Sequence, residues 1–460
     1  MQGENTEDST RGTASALSQV DHLLLLVGSN PLPNAVAARL LAKQDTYIHL
    51  VGSQGLHDVT KRLRCWLENN KYKNVSLTGE VDEYDPRSIF CAVSAALATI
   101  QDGVVGLNYT GGTKAMAVHA YRAVLDWWQP RQSKGCARPI FTYLDPHGPA
   151  MVRDPEDPKG GGTLEKREVL LLPHSKMTLK DDVLTLHGWQ YNGPTTEPIL
   201  PKSAHKLADV YANGNGDAWE TWIVDELRYR AKRERGKKRS EDRFRCPNAR
   251  EGIEACYQRP FWKPNNQLKP IKLVWPSDPK LSEVVKTLGE ELALENMPCF
   301  TLGAGKITTL FNEVQDFCKW LEGRWLESLA LKAFQDNASC LSLHDCAMNL
   351  NPTLKDKPAT HFELDAVAIR GYRLFACSCS ADQSNPRLKT KLFEVYHRAR
   401  QIGGDEARVA LVCCSGDPHG IEDEAPRDLD VQAKIKPVKV FGREHLSKLG
   451  RHVKDWIQNA

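Results

Sequence analysis

The N-terminal third of the chain alternates between short apolar runs and longer stretches in which apolar residues recur at helical spacing. The short runs predict buried strands at 22–27, 47–51, 75–77, 103–107 and 140–144. The helical stretches lie between them, around 60–69, at 86–100 and up to Trp128. Strands that alternate with helices in this way predict a doubly wound parallel sheet, in which ligands bind at the carboxyl ends of the strands.

A stretch rich in Pro, Gly and charge, DPEDPKGGGT at 154–163, predicts a domain boundary. A second α/β pattern follows much later, with an amphipathic helix at 312–334 and strands from 362 onwards. The division that we expect is a disordered polar leader at 1–20, a parallel-sheet domain at 21–155, a linker and middle segment at 156–310 and a second domain at 311–460.

Composition excludes several classes of protein. Hydrophobic residues make up 41% and charged residues 26%, as in ordinary globular proteins, and a net charge of +3 is too small to indicate nucleic-acid binding by itself. No apolar run approaches the roughly 18 residues that cross a bilayer, so we expect no contact with membranes. The 13 cysteines include no Cys-x-x-Cys pair, and no apolar signal segment precedes them. These features argue against a zinc ribbon and predict reduced thiols in a cytoplasmic protein.

The segment NYTGGTK at 108–114 lies between a predicted strand and a predicted helix. Paired glycines let the backbone approach a ligand closely, and a helix N-terminus presents free N–H groups. Thr110, Thr113 and Lys114 add two hydroxyl groups and one cation, which suits a phosphate or a ribose-phosphate edge. The segment has neither the Walker A spacing nor a G-x-G-x-x-G spacing, which disfavours a magnesium-nucleotide hydrolase.

By itself, a Gly-Gly pair is as compatible with a tight turn that binds no ligand as with a ligand-binding loop. Two other small or polar turns, Gly28–Asn34 and Gly52–Ser53, follow the first two predicted strands. In a parallel sheet all of these turns lie at the same edge, which favours the ligand-site interpretation.

SNPLPN (29–34) and NYTGGTK (108–114) resemble the CRISPR-associated Rossmann fold, the sensor domain of type III CRISPR ancillary proteins. Within this group, the chain most resembles proteins of the CRISPR ancillary nuclease 2 type, which are nucleases activated by cyclic oligoadenylates. LTLHGW (184–189), LEGRWLE (321–327) and ELDAVAIRGYRLF (363–375) resemble later landmarks of the same type.

This resemblance implies an α/β protein with a Rossmann-like parallel-sheet sensor domain, followed by a mixed α/β restriction-endonuclease-like domain. It implies a homodimer that holds cyclic tetra-adenylate across a two-fold interface. The ligand contacts that it implies are Ser29, Asn30, Asn108, Thr110, Gly111, Gly112, Thr113 and Lys114, with Ser53 and Glu80 as weaker candidates.

The resemblance also implies a PD-(D/E)xK centre, in which Glu327 and Asp365 match the carboxylates that hold Mg²⁺ or Mn²⁺. Where the family has Glu-x-Lys, this chain has Ser378-Cys379-Ser380. Neutral hydroxyl groups are poor replacements for a metal-binding carboxylate and a catalytic amine. Either the domain is a degenerate nuclease that serves as a scaffold, or neighbouring charges substitute. The candidate substitutes are Asp382 or Glu394 with Lys389 or Lys391.

The cysteines near the C-terminal strands favour ordinary structural roles. Cys377, Cys379 and the pair Cys413–Cys414 are more typical of a packed core than of a soft-metal site, and His397 is typical of an ordinary helix residue.

The basic run 228–245 has the sequence RYRAKRERGKKRSEDRFR. It is either a solvated loop or a contact for the backbone of single-stranded DNA or RNA. Aromatic residues that could stack on bases lie near its end and after it, namely Phe244, Tyr257, Phe261 and Trp262.

The resemblance therefore implies an effector of type III CRISPR antiviral defence that binds cyclic tetra-adenylate. The messenger would control a nuclease-like domain that cleaves or binds nucleic acid, with Mg²⁺ or Mn²⁺ as cofactor if the centre is active. Two alternatives stay open. One is a non-catalytic scaffold that senses the messenger. The other is a ring nuclease that cleaves the messenger with the help of Lys114 and a ribose 2′-hydroxyl.

Overall fold

The computed structural model describes most of the chain as two compact units, one ending at Ser175 and the other running from Lys176 to Ala460. The described residues are 19–145, 149–155, 165–170, 172, 175–191, 193–228, 272–294, 299–302, 305–312, 314–428 and 438–460. The predicted leader lies almost wholly outside them. The basic run beyond residue 228 and the aromatic residues that follow it also lie outside the described residues.

The first unit is built on a seven-stranded sheet. Its strands are β1 Val20–Val27, β2 Ala42–Ser53, β3 Asn74–Val81, β4 Val105–Asn108, β5 Ile140–Asp145, β6 Ala150–Arg153 and β7 Glu165–Glu168. Its helices are α1 Leu32–Leu41, α2 His57–Asn69, α3 Pro86–Ala98 and α4 Lys114–Trp128. The strand order is β3-β2-β1-β4-β5-β6-β7. All pairs from β3 to β5 are parallel, which confirms the predicted Rossmann-like sheet.

The sheet places β1 beside β4, so the strand order reverses between them and creates a topological switch point. Leu23–Val27 in β1 are fully buried because helices cover both faces of the sheet. Leu24 and Leu26 pack in one core with α3 and α4. The turns that follow β1 and β4 therefore lie at the edge where ligands of such sheets bind.

The first unit extends beyond the boundary predicted at 155. β6 pairs with β5, and β7 with β6, both antiparallel, so these two strands lengthen the same sheet. The turn-rich composition of 154–163 marks a connection inside the unit, of which residues 156–164 lie outside the described part. Turn chemistry alone does not distinguish a hairpin connection from a linker between domains.

The second unit has a central mixed sheet in the order β11-β14-β15-β16-β17. The strands of this unit are β8 Trp189–Tyr191, β9 Lys272–Val274, β10 Cys299–Thr301, β11 Leu343–Leu350, β12 Pro352–Leu354, β13 Lys357–His361, β14 Leu364–Arg370, β15 Arg373–Ser380, β16 Arg408–Cys413 and β17 Val438–Phe441. Its α-helices are α5 Pro201–Ala212, α6 Gly216–Trp222, α7 Ser282–Leu292, α8 Ile307–Leu310, α9 Val314–Lys319, α10 Trp325–Asp336, α11 Ala338–Leu341, α12 Asn385–Gly403, α13 Pro418–Asp428 and α14 Leu449–Gln458. β11, β14 and β15 pair antiparallel, whereas β15, β16 and β17 pair parallel.

The described part of the predicted middle segment does not stand apart from the C-terminal domain. Leu207, Trp219 and Trp275 share one buried core with Trp325 and Phe375 of α10 and β15. The mixed pattern between 194 and 310 obscured this because the helices and short strands of this stretch are separated by residues without clear periodicity.

The long helix predicted at 312–334 is broken into α9, a π-helical turn at Trp320–Arg324 and α10. Gly323 interrupts the helical backbone with a φ of 175°. A Cβ atom on Gly323 would lie 3.1 Å from Cβ of Ala381, so the turn packs closely against the end of β15. The break places the first turn of α10 next to the central sheet.

Within the described residues, no helix is long and apolar enough to span a membrane.

Candidate functional site

The turns after β1 and β4 meet backbone to backbone at the switch point. A Cβ atom on Gly28 would lie 2.8 Å from the Gly112 nitrogen, and one on Gly111 would lie 2.2 Å from the Leu26 oxygen. Gly112 also has a φ of +74°, which side chains rarely tolerate. The two turns can touch only because glycine occupies these positions.

Two asparagines of the first turn hold its backbone. Asn30 Oδ1 accepts a hydrogen bond from Leu32 N at 3.1 Å, at the start of α1. Asn34 is fully buried, and its Nδ2 donates to the Leu26 oxygen at 2.8 Å. Asn34 Oδ1 would lie 3.0 Å from a Cβ on Gly111. Asn34 therefore fixes the end of β1 beneath Gly111. We did not predict this role, although the residue closes the SNPLPN motif that drew attention to the turn.

Three predicted ligand contacts have protein partners for their side chains. Asn108 is fully buried, and its Nδ2 donates to Thr142 Oγ1 at 3.1 Å. Thr110 Oγ1 accepts from Leu144 N at 2.7 Å, and Thr113 Oγ1 accepts from Met116 N at 3.2 Å as the N-cap of α4. These bonds fix the shape of the 108–114 turn. The groups that remain for a ligand are backbone amides and the residues at the rim.

Ser29 and Lys114 are exposed at this rim. Lys114 is the first residue of α4, where unpaired N–H groups and the positive end of the helix dipole favour an anion. Within the described part of the chain, Lys114 forms no ion pair. The rim thus combines a cation, backbone donors and a hydroxyl group around two touching glycine turns.

The weaker candidates differ in accessibility. Ser53, at the end of β2, is 2% exposed, and its Oγ has no hydrogen-bond partner among the described residues. Glu80 Oε1 lies 2.6 Å from His57 Nδ1 in an exposed pair. Ser53 therefore has an unsatisfied polar atom next to the candidate site, while the Glu80 carboxylate already has a partner.

Tyr109 anchors the other side of the 108–114 turn. Its hydroxyl donates to Asp154 Oδ1 at 2.7 Å, just after β6. Burial, followed by the bond to Asp154, raises the pKa of Tyr109 far above its ordinary value. The ring lies 5.5 Å from that of Tyr143. Tyr109 was not among the predicted site residues, although it lies inside the NYTGGTK motif.

In the second unit, Asp365 lies close enough to Glu327 for its charge to act on it. We call the surroundings of these two carboxylates, which were expected at a nuclease site, the nuclease-like centre. Glu327 is in the first turn of α10 and is only 7% exposed. Burial raises the pKa of Glu327 well above its usual range, and the neighbouring Asp365 carboxylate adds to this effect. Arg324 opposes it, with its Nε 3.8 Å from Glu327 Oε1.

Ser378 faces Asp365 directly. Ala366 pairs with Cys377 across the antiparallel strands β14 and β15, so Asp365 lies one position further along, opposite Ser378. Ser378 Oγ donates to Asp365 Oδ2 at 3.1 Å, and Cys379 N donates to the same oxygen at 2.6 Å. Ser380 Oγ instead accepts a hydrogen bond from Asp382 N at 3.3 Å.

Of the four suggested substitutes, the structure brings Lys391 to the centre. Lys391, on α12, donates from Nζ to the Cys379 oxygen at 3.2 Å, and its charge acts to lower the pKa of Glu327. Lys389 pairs with Glu424, and Asp382 pairs with Arg387 at 3.1 Å. Glu394 is exposed elsewhere on α12. A lysine on a helix near a strand is difficult to place from sequence spacing.

Glu363 is a further carboxylate at this centre that the sequence reasoning missed. Desolvation and the neighbouring Asp365 raise the pKa of Glu363, while Arg324 and Lys391 oppose the rise. Glu363 and Glu327 line a cleft of about 940 Å³ together with Arg324. The signal was present in the sequence, because Glu363 and Asp365 are separated by one residue at the start of a strand.

The donor set of this centre does not complete a divalent metal site. Carboxylates are the ligands that Mg²⁺ and Mn²⁺ prefer. However, among the described residues no group of three or more His, Cys, Asp or Glu side chains is placed to hold a metal ion. Ser378 stands where the resemblance led us to expect a second strand carboxylate, and its hydroxyl is bonded to Asp365.

The cysteines near the centre are core residues. Cys377, Cys379 and Cys413 are buried, and burial raises the pKa of each thiol. Their neutral form therefore dominates at ordinary pH, which disfavours thiolate ligation. His397 is exposed on α12, with its ring 5.6 Å from that of Tyr396.

The fold defines the class of this protein: an α/β protein with a Rossmann-like parallel sheet at its N-terminus and a mixed α/β domain at its C-terminus. Residues 315–460 match the family described as "Card1-like, endonuclease domain". No curated protein matches the chain in sequence.

Two solved structures share the fold over nearly the whole chain. One is protein VC1899 from Vibrio cholerae, with a TM-score of 0.64 and 16% identity, covering 95% of this chain and 98% of that one. The other is Can2 from Sulfobacillus thermosulfidooxidans in complex with cyclic tetra-adenylate, with a TM-score of 0.62 and 14% identity, covering 96% and 98%. At these identities the likeness establishes the fold, and it confirms the predicted fold class of a Rossmann-like parallel-sheet domain followed by a mixed α/β domain.

Proposed function

We propose that this chain is a cyclic-oligoadenylate-binding effector of type III CRISPR antiviral defence, in which the messenger controls the nuclease-like domain. The observation that carries the proposal is the contact between Gly28 and Gly112 at the switch point of the parallel sheet. It brings two turns together under a rim that offers Ser29, Lys114 and the amides at the start of α4. The fold shared with Can2, whose structure contains cyclic tetra-adenylate, supports the proposal.

The chemistry of the rim suits a phosphodiester ring better than a nucleoside triphosphate. A single lysine and a helix N-terminus neutralise one or two phosphates, not the clustered charge of a triphosphate with its metal. A ring of four identical nucleotides has two-fold symmetry, so a homodimer would offer it two copies of Lys114. The proposed ligand is therefore cyclic tetra-adenylate, and the proposed assembly is a two-fold homodimer. We propose that it acts in the cytoplasm.

Calorimetry with cyclic tri-, tetra- and hexa-adenylate tests the proposed ligand. The proposal predicts saturable binding that is tightest for cyclic tetra-adenylate, with one ring bound per two chains. Absence of binding for all three rings would remove the proposed function. A stoichiometry of one ring per chain would contradict the homodimeric site while leaving messenger binding in place.

A second candidate, a messenger-sensing scaffold without nuclease activity, is favoured by one observation: Ser378, not a carboxylate, faces Asp365. Incubation with Mn²⁺ and single-stranded DNA or RNA, with and without messenger, separates the two candidates. Cleavage that requires the messenger and is lost in Asp365→Ala would establish a nuclease. Linear products from labelled messenger alone, lost in Lys114→Ala, would instead establish a ring nuclease.

A further inference from the structure

The Asp365 carboxylate has internal hydrogen-bond partners where a metal would bind. Its Oδ2 accepts from Ser378 Oγ at 3.1 Å and from Cys379 N at 2.6 Å. A carboxylate oxygen has two lone-pair positions, so these two donors satisfy Oδ2. A cation that approached this oxygen would have to displace at least one of them, and the Cys379 amide is fixed by the strand.

Positive charge at the centre comes from the protein itself. The Asp365 carboxylate lies close enough to Glu327 and Glu363 to add to the rise that burial causes in the pKa of each. Uncompensated carboxylates in such a desolvated cluster are costly. Arg324 and Lys391 act on both Glu327 and Glu363 in the opposite direction. The position of Lys391 is fixed by the bond from its Nζ to the Cys379 oxygen at 3.2 Å.

A divalent ion would meet unfavourable conditions at this centre. Mg²⁺ binds through one or two carboxylates that are free to coordinate it, together with water or phosphate oxygens. Ser378 supplies a neutral hydroxyl at the position that faces Asp365, and the Lys391 ammonium group, which is held against β15, repels a second cation. The absence of a three-ligand group among the described residues agrees with this chemistry.

We propose that the nuclease-like centre of this chain is a metal-free polar centre. The Ser378 hydroxyl and the Cys379 amide satisfy Oδ2 of Asp365, and Lys391 with Arg324 supplies the positive charge. The domain then holds its shape without Mg²⁺ or Mn²⁺ and does not cut nucleic acid by a metal-dependent reaction. The inference concerns the second unit alone and does not depend on messenger binding.

Titration of the full-length protein with Mn²⁺, followed by calorimetry and thermal melting, tests the inference. For the unsubstituted protein we expect no saturable binding and no rise in melting temperature. The Ser378→Glu variant restores the missing carboxylate and should gain Mn²⁺ binding. At saturating metal its melting temperature should rise by roughly 5 °C or more. Ser339→Glu, which adds the same charge at an exposed serine of α11, is the matched control and should gain neither.

The comparison with Asp365→Asn keeps the inference testable if Ser378→Glu does not fold. Saturable Mn²⁺ binding by the unsubstituted protein that disappears in Asp365→Asn would overturn the inference. Equal melting temperatures in EDTA and in Mn²⁺, for both proteins, would support it. Because cyclic tetra-adenylate is not part of this experiment, its outcome is independent of the outcome of the messenger titration.

Discussion

Gly28 and Gly112 approach each other so closely that a Cβ atom on Gly28 would lie 2.8 Å from the Gly112 amide nitrogen. The first residue follows β1 and the second lies in the turn after β4, on the neighbouring strand. This contact explains why small residues recur in both turns. It means that the shape of the candidate ligand site depends on the packing between the turns as well as on the residues at its rim.

We expect Gly111→Ala to separate the two turns. Its new Cβ would lie 2.2 Å from the Leu26 oxygen, a backbone atom that cannot rotate away. Overpacking of this kind costs about 1–3 kcal/mol of unfolding free energy. Ligand affinity should fall as well, because the rim amides move. Urea unfolding and calorimetry measure the two effects.

Gly55→Ala is the matched control, because a Cβ at Gly55 meets nothing within 4 Å. It should leave both stability and affinity unchanged. Equal behaviour of the two variants would show that the contact between the turns does not shape the site.

Asn34→Leu should destabilise the first unit, because it removes the buried bond from Asn34 Nδ2 to the Leu26 oxygen. Loss of a buried hydrogen bond that leaves its partner unsatisfied costs about 1–3 kcal/mol. Since this bond fixes the end of β1 beneath Gly111, the affinity for cyclic tetra-adenylate should fall too. Asn69→Leu, at an exposed position of α2, is the control. An Asn34→Leu protein with unchanged stability and affinity would contradict the role given to this side chain.

Tyr109→Phe removes the hydroxyl that donates to Asp154 at 2.7 Å and keeps the ring. We expect a loss of about 1 kcal/mol or more in unfolding free energy, because the acceptor is a carboxylate. Tyr84→Phe provides the control, since Tyr84 is 84% exposed. Chemical denaturation of both variants measures the difference. Identical unfolding curves would show that the bond to Asp154 contributes nothing.

His49 should make the stability of the first unit depend on pH. Burial, together with the neighbouring His22, lowers the pKa of His49 to about 4. In the unfolded chain this histidine takes up its proton near the ordinary pKa of 6.5, so stability is fully present above that pH and falls as the pH drops toward about 4. The loss amounts to up to about 3 kcal/mol.

His49→Gln should therefore flatten the decline in melting temperature between neutral and acidic pH. His205→Gln, at an exposed position of α5, should retain the decline. A variant at His49 that loses stability as steeply as the unsubstituted protein would show that other groups cause the decline.

The sequence predicted the parallel sheet and both motif-bearing turns because buried parallel strands form continuous apolar runs. It did not show that the side chains of Asn108, Thr110 and Thr113 form hydrogen bonds within the protein. A polar side chain beside a glycine pair can bond either to the protein or to a ligand, and the sequence does not distinguish the two. It missed the break at Gly323 because the amphipathic pattern continues through it. Lys391 was only one of several candidates, and Glu363 was not predicted at all. The role of each residue depends on which strand and helix lie side by side, and the sequence does not show this.

The central claim is that the rim around Lys114 holds the phosphates of cyclic tetra-adenylate. Calorimetric titration of this ligand into the unsubstituted protein, Lys114→Ala and Lys61→Ala tests it directly, because Lys61 is an exposed lysine of a different helix, α2. We predict saturable binding to the unsubstituted protein, unchanged affinity in Lys61→Ala and about 10- to 100-fold weaker binding in Lys114→Ala. Equal affinity in all three proteins, or no binding to any of them, would contradict the account.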